Sequence, residues 1–172
     1  MTLPLSWKPA APIAPATRPM RRPGSLTARL AKNGAVTVDV RTSGWGHARA
    51  DEAAALRLPR PGLRVYVREV VVRKDGQPAV LARSITTIAG IRGPWHGLRK
   101  LGRQPLATLL WSDPRIRRGP FEFTRLPLGS RPPARRSCFW RHGEPLVVME
   151  AFVDLPWPDV GWLPRRRRWL AH

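Results

Sequence analysis

Between residues 63 and 86 apolar and polar positions alternate through two runs, LRVYVREVVVRK and QPAVLARSIT, split by Asp75-Gly76. Asp and Gly tolerate the positive φ that a two-residue turn demands, so the pattern predicts a β-hairpin. With the turn alone setting the register, Tyr66 faces Ile85, Arg68 faces Arg83, Val70 faces Leu81 and Val72 faces Ala79. Side chains two apart on a strand share a face, so Arg68 and Arg83 are predicted side by side. Opposed cations repel, which points to an anion lying between or beside them. Two guanidiniums simply pointing into water is the alternative, and the Val, Leu and Ile around them argue against it.

The rest of the chain is shorter-patterned. Six prolines between Pro4 and Pro23 forbid a regular helix or strand, and residues 1–23 read as an irregular arm with Trp7 tucked against the domain. Ser25 caps a short helix over 26–32, stopped by Asn33-Gly34. Residues 35–42 alternate as a strand, Ser43-Gly44-Trp45-Gly46-His47 reads as a loop, and Asp51 opens a helix over 51–57. Helices are predicted over 94–101 and 105–112, the second begun by Pro105. Strands are predicted over 116–126, 134–141 and 146–153, the last two joined at His142-Gly143. Hairpin-joined strands with helices set apart from them imply a single α+β domain built on an antiparallel sheet.

A formal net charge of +20 on 172 residues first suggests nucleic acid. Yet only Lys8, Lys32, Lys74 and Lys100 are lysines, so 27 of the 31 basic residues are Arg, in a chain also rich in Ala and Pro. GC-rich coding would leave that signature. No basic recognition helix or finger spacing appears, and no obligatory nucleic-acid partner is expected. The Arg165–Arg168 run between Trp162 and Trp169 reads as a solvated tail. Cationic steering of a small dianion would use the same charge. One cysteine, Cys138, excludes an internal disulfide and reads as a small buried hydrophobe. No apolar run is long enough to span a bilayer, and no apolar signal core is present. A soluble, cytoplasmic protein is expected.

The last strand holds one charge, Glu150, in LVVMEAFV. Both faces of that strand are apolar, so Glu150 is expected to be buried, at a cost unless it is paired. If His142-Gly143 is a two-residue turn, Arg135 lies opposite and could neutralise it. Ligand contact or catalysis is the competing reading. The histidines His47, His96, His142 and His172 are not at ligand spacing, and there is no phosphate-binding glycine loop or nucleophile elbow. An arginine pair with a buried glutamate suits a pocket for a small acid that carries a hydroxyl.

Four blocks, in order, resemble the chorismate lyase family. They are Gly24-Ser25-Leu26-Thr27-Ala28-Arg29-Leu30, Val67-Arg68-Glu69-Val70 with Asp75-Gly76 and Ala82-Arg83-Ser84, Leu101-Gly102-Arg103-Gln104-Pro105-Leu106, and Ala134-Arg135-Arg136-Ser137 through Gly143-Glu144-Pro145-Leu146 to Glu150. The resemblance implies a sheet of about six antiparallel strands with short helices as flaps over a buried site. It implies that Arg68 holds the ring carboxylate of chorismate, assisted by the backbone amides of Leu26 and Leu106, and that Glu150 meets the ring hydroxyl. Arg83 is placed near a second cavity and is a candidate for the side-chain carboxylate.

The implied activity is loss of pyruvate from chorismate to give 4-hydroxybenzoate, the first step of ubiquinone synthesis. Aromatisation drives it, so no cofactor or metal is expected, and the chain is expected to act as a monomer. The implied organisation is an N-terminal arm over 1–23, a chorismate lyase-like domain over 24–157 and a basic tail over 158–172. Family members usually begin with a longer helical segment, which the prolines here forbid. Effector-sensing domains of bacterial regulators share this fold and form the alternative class, followed by a basic nucleic-acid-binding protein.

Overall fold

Two hairpins with the same turn chemistry make the centre of the sheet. Asp75 and Gly76 take φ of 50° and 79°, and His142 and Gly143 take 48° and 80°, the left-handed pair that a tight hairpin turn requires. The computed structural model describes residues 5–9, 24–129 and 131–153. Most of the proline-rich arm and the whole tail over 158–172 lie outside the described residues.

In chain order the elements are α1 (Leu26–Leu30), β1 (Val36–His47), α2 (Ala50–Ala55), β2 (Arg64–Lys74), β3 (Gln77–Thr86), α3 (Ile88–Arg92), α4 (Ala107–Leu110), β4 (Arg117–Arg118), β5 (Glu122–Arg125), β6 (Pro133–Arg141) and β7 (Glu144–Phe152). The strands form one sheet in the order β1-β2-β3-β7-β6-β4, with β5 beside β6, and every pairing is antiparallel. The fold is α+β, as expected, with seven strands of which two are short. Among the described residues no helix is long and apolar enough to cross a membrane.

The register of the first hairpin departs from the expectation. Lys74 pairs with Gln77 and Arg73 with Pro78, as the turn dictates, but Val72 pairs with Val80, leaving Ala79 as a bulge. Pro78 brings a fixed φ and no N–H, which is why proline inside a strand belongs at an edge or a bulge. One extra residue turns every later side chain of β3 to the other face. Arg68 therefore faces Ser84, and Arg83 faces Glu69. The predicted Arg68–Arg83 pair does not form; the two arginines lie on opposite faces of the sheet. The second hairpin has no such shift, and Arg135 lies opposite Glu150 as predicted.

Other departures have local causes. Residues 43–47, expected as a loop, continue β1 and pair with Arg64–Arg68 of β2. Trp45 packs edge-on against Tyr66 at 6.0 Å, with Arg64 stacked on it at 4.4 Å. A Cβ on Gly46 would meet Val67 at 2.8 Å, so the close strand approach needs glycine there. The predicted helix over 94–101 is a 3-10 turn, His96–Lys100. The α-helix lies earlier, at α3, where the Thr87 hydroxyl accepts from the Gly90 N–H at 2.8 Å. The predicted strand over 116–126 splits into β4 and β5 around Gly119-Pro120, both running along β6.

Both faces of the sheet are covered, so β2 is buried along most of its length. On one face, α3, the following 3-10 turn and α4 enclose Trp95, Ile91 and Leu98 against Tyr66, Leu146 and Val148, while α1 sets Leu26 on Val38, Val70 and Val80. Trp95 is fully buried, and its indole N–H donates to the Glu144 carbonyl at 3.0 Å, so the buried ring keeps its own polar edge paired. On the other face, α2 packs Ala53 against Val65, Val67 and Ile85. Trp7 also docks there: its indole donates to Asp51 at 2.8 Å and Arg136 stacks on its ring at 4.5 Å.

Candidate active site

The two apolar layers over the first face do not meet. Between them lies a cavity with about 790 Å³ of empty space, its open mouth included, against about 280 Å³ for the cavity on the opposite face. Its floor is the sheet, through Arg68, Val70, Ala82, Ser84, Val148 and Glu150, and its walls include Leu26 of α1 and Leu106 before α4. Four predicted site residues, Leu26, Arg68, Leu106 and Glu150, thus border one cavity. Arg83 is not among them.

Arg68 is only 2% exposed. Its Nη2 donates to the carbonyls of Gly102 and Gln104, at 3.0 and 2.9 Å, which aims the guanidinium from the loop between the 3-10 turn and α4. No carboxylate pairs with it among the described residues. Burial pushes its pKa below the ordinary arginine value, with only Tyr66 opposing. A desolvated cation without a counter-ion costs free energy, and a bound anion would remove that cost. Leu26 begins α1 and Leu106 precedes α4. The N–H groups at such positions have no acceptor within the helix, which suits them to an anionic oxygen.

Glu150 is half-buried, with 21% of its side chain exposed, rather than buried as expected, because it borders the cavity. Arg135 donates to its Oε2 at 2.6 Å, and the Arg135 guanidinium stacks on Phe121 and Phe152 at 4.5 and 5.5 Å. The predicted salt bridge is therefore present, and the paired Glu150 also borders the cavity. Two further lining residues, Arg118 and Phe121, carry no signal in the sequence, since the break at Gly119-Pro120 leaves the direction of Arg118 undetermined by strand alternation.

Arg83 is occupied elsewhere. Its Nε and Nη2 donate to Glu52 at 2.6 and 3.0 Å, and its Nη1 to Glu69 at 2.6 Å, all of these side chains being buried. Burial alone would lower its pKa, but the two carboxylates outweigh that and hold it above the ordinary value. One signal for this lay in the sequence: shifting the hairpin by one residue swaps an Arg–Arg clash for a Glu69–Arg83 attraction. Cys138 is half-buried, and burial pushes its thiol up to about 11, which suits an inert side chain. Among the described residues no group of three or more His, Cys, Asp and Glu is placed to hold a metal ion.

Known proteins resemble this chain in sequence and in fold. The family model described as chorismate lyase matches residues 6–158. A probable chorismate pyruvate-lyase of Bordetella avium is 43% identical over 153 residues, spanning 81% of this chain and 77% of that protein. Another, from Pseudomonas fluorescens, is 36% identical over 152 residues, spanning 80% and 82%. Among solved structures, the effector domain of PhnF from Mycobacterium smegmatis aligns with a TM-score of 0.51 at 15% identity, over 75% of this chain and 88% of that one. The C-terminal domain of the histidine utilization repressor of Pseudomonas syringae aligns at 0.50 and 17%, over 69% and 91%. At such identities the structural likeness speaks for the fold alone. The family match across most of the sequence, with relatives this similar in sequence, is decisive: the chain belongs to the chorismate lyase family.

Proposed function

We propose that the protein eliminates pyruvate from chorismate and leaves 4-hydroxybenzoate, as a monomer in the cytoplasm, with entry into ubiquinone synthesis following from the product. The observation that carries this reading is Arg68, a buried cation with no carboxylate partner among the described residues, bordering the same cavity as Glu150. Family membership and the names of the relatives support it.

The reaction suits these residues. The ring–oxygen bond to the enolpyruvyl group breaks and the ether oxygen becomes the ketone of pyruvate. The ring hydrogen beside the hydroxyl passes to the departing methylene, which becomes the methyl group. The ring is left aromatic, with no net gain or loss of atoms. Arg68 anchors the ring carboxylate with the amides of Leu26 and Leu106, while Glu150 orients the ring hydroxyl. The proton can travel within the substrate in one cyclic step, so positioning in a site shielded by α1 and α4 supplies the acceleration. Incubating the pure full chain with chorismate and following 4-hydroxybenzoate by absorbance tests the reading. Tight binding of 4-hydroxybenzoate without turnover would assign the chain to the effector-sensing class instead.

A further inference from the structure

The proposed substrate has a second carboxylate, on the enolpyruvyl arm, and Arg83 is on the wrong face to meet it. Among the described residues, three guanidiniums border the main cavity from its own face: Arg68, Arg118 and Arg135. Arg136 lines it too, but its side chain is directed to Glu122, at 2.7 Å, and to Asp51. Against the three cations stands Glu150, paired with Arg135 at 2.6 Å. Among the described residues the cavity lining therefore carries more cations than carboxylates, which complements a dianion.

Arg118 differs from its neighbours. Among the described residues it has no carboxylate partner; its guanidinium lies instead on the ring of Phe121, at 4.3 Å. A guanidinium stacked by its flat side keeps its edge N–H groups available for a carboxylate. Burial, then repulsion from Arg135, pushes its pKa below the ordinary value, with Glu150 opposing. Arg118 is thus a partly desolvated cation that forms no ion pair among the described residues, and the carboxylate nearest in effect, Glu150, is already paired with Arg135.

The sheet order spaces the two apart. Arg68 stands on β2 and Arg118 on β4, with β3, β7 and β6 between them. Four strand spacings of about 4.8 Å amount to about 19 Å along the sheet. Arginines rooted that far apart enter one cavity from opposite ends, and they suit two anionic groups rather than one. Glu150 stands between them, on β7. In chorismate the hydroxyl and the enolpyruvyl ether sit on adjacent ring carbons, with the ring carboxylate across the ring. That order matches Arg68, then Glu150 and Arg118.

We propose that Arg118 holds the enolpyruvyl carboxylate of the substrate, and so distinguishes substrate from product. The inference rests on the proposed function, because it names the partner of a group that only chorismate carries. The product has lost that carboxylate and leaves Arg118 without a ligand partner.

The test compares Arg118→Met and Arg118→Lys with the unaltered full chain. Binding of 4-hydroxybenzoate is measured by titration calorimetry and kcat/KM for chorismate by absorbance. Loss of a charge-assisted contact in Arg118→Met is expected to lower kcat/KM about 10- to 100-fold while the 4-hydroxybenzoate affinity stays within about twofold. Retained product binding also shows that the variant is folded. Arg118→Lys restores part of the loss, having the charge without the fork. Unchanged kcat/KM in Arg118→Met, or equal weakening of both ligands in both variants, overturns the assignment. An unaltered chain that binds 4-hydroxybenzoate but does not convert chorismate overturns the proposed function itself, and this inference with it.

Discussion

Replacing Arg68 with Met separates what the guanidinium does for the fold from what it does for the ligand. Its Nη2 is bonded to the Gly102 and Gln104 carbonyls, and both of those residues are exposed, so water replaces the lost donor. Removing the cation also relieves a desolvated charge that has no counter-ion among the described residues. The two effects oppose, and stability is expected to change by no more than about 1 kcal/mol. Binding is different. Truncating one partner of a desolvated, hydrogen-bonded charge pair costs about 2–5 kcal/mol, which is about 30-fold at the lower end and thousands-fold at the upper. Urea unfolding measures the first quantity and calorimetric titration with 4-hydroxybenzoate the second. Arg68→Lys keeps the charge and is expected to recover only part of the affinity, because an ammonium cannot reproduce the planar fork. Product affinity within about threefold of the unaltered chain, far below the expected loss, would refute the reasoning, since the cation would then not be the ligand's anchor.

Glu150→Gln keeps shape and hydrogen bonding, so turnover within about tenfold of the unaltered chain is expected, with weaker product binding. A loss of about 10²–10⁴-fold in kcat would make Glu150 the base. Burial alone would raise the Glu52 pKa, but the charge and hydrogen bond of Arg83, with Arg49 behind them, hold it below the ordinary value. That stabilisation is present above the ordinary carboxylate range and is lost as the pH falls through the lowered value. Glu52→Gln should accordingly lose about 3 kcal/mol near neutrality. The gap to the unaltered chain should narrow in acid, as read by urea unfolding at about pH 7 and about pH 3. For Cys138, a thiol pushed up to about 11 should alkylate in the native protein at about pH 8 on the order of a hundredfold more slowly than in the unfolded chain. Equal rates would place the thiol in water.

The parts of the fold legible in the sequence are those set by neighbours along the chain. Asp75-Gly76 and His142-Gly143 read as turns because few residues tolerate their backbone angles, and with the second turn came the Arg135–Glu150 pair. The ordered motifs single out Leu26, Arg68, Leu106 and Glu150, and the structure gathers them around one cavity. The side of the sheet on which Arg83 stands was not legible in the same way. Strands β2 and β3 are buried on both faces, so apolar alternation, the usual marker of register, says little there. One bulged residue, Ala79, decided the matter by bringing Arg83 to Glu69 and to Glu52, which stands far away in sequence on α2. The same limit hid Arg118. Its strand is two residues long beside a Gly-Pro break, and only the pairing with β6 turns it toward the cavity that Arg68 enters from the other end. Turn angles are properties of two or three adjacent residues. The face a charge occupies in a doubly covered sheet is settled by partners that only the folded chain brings within reach.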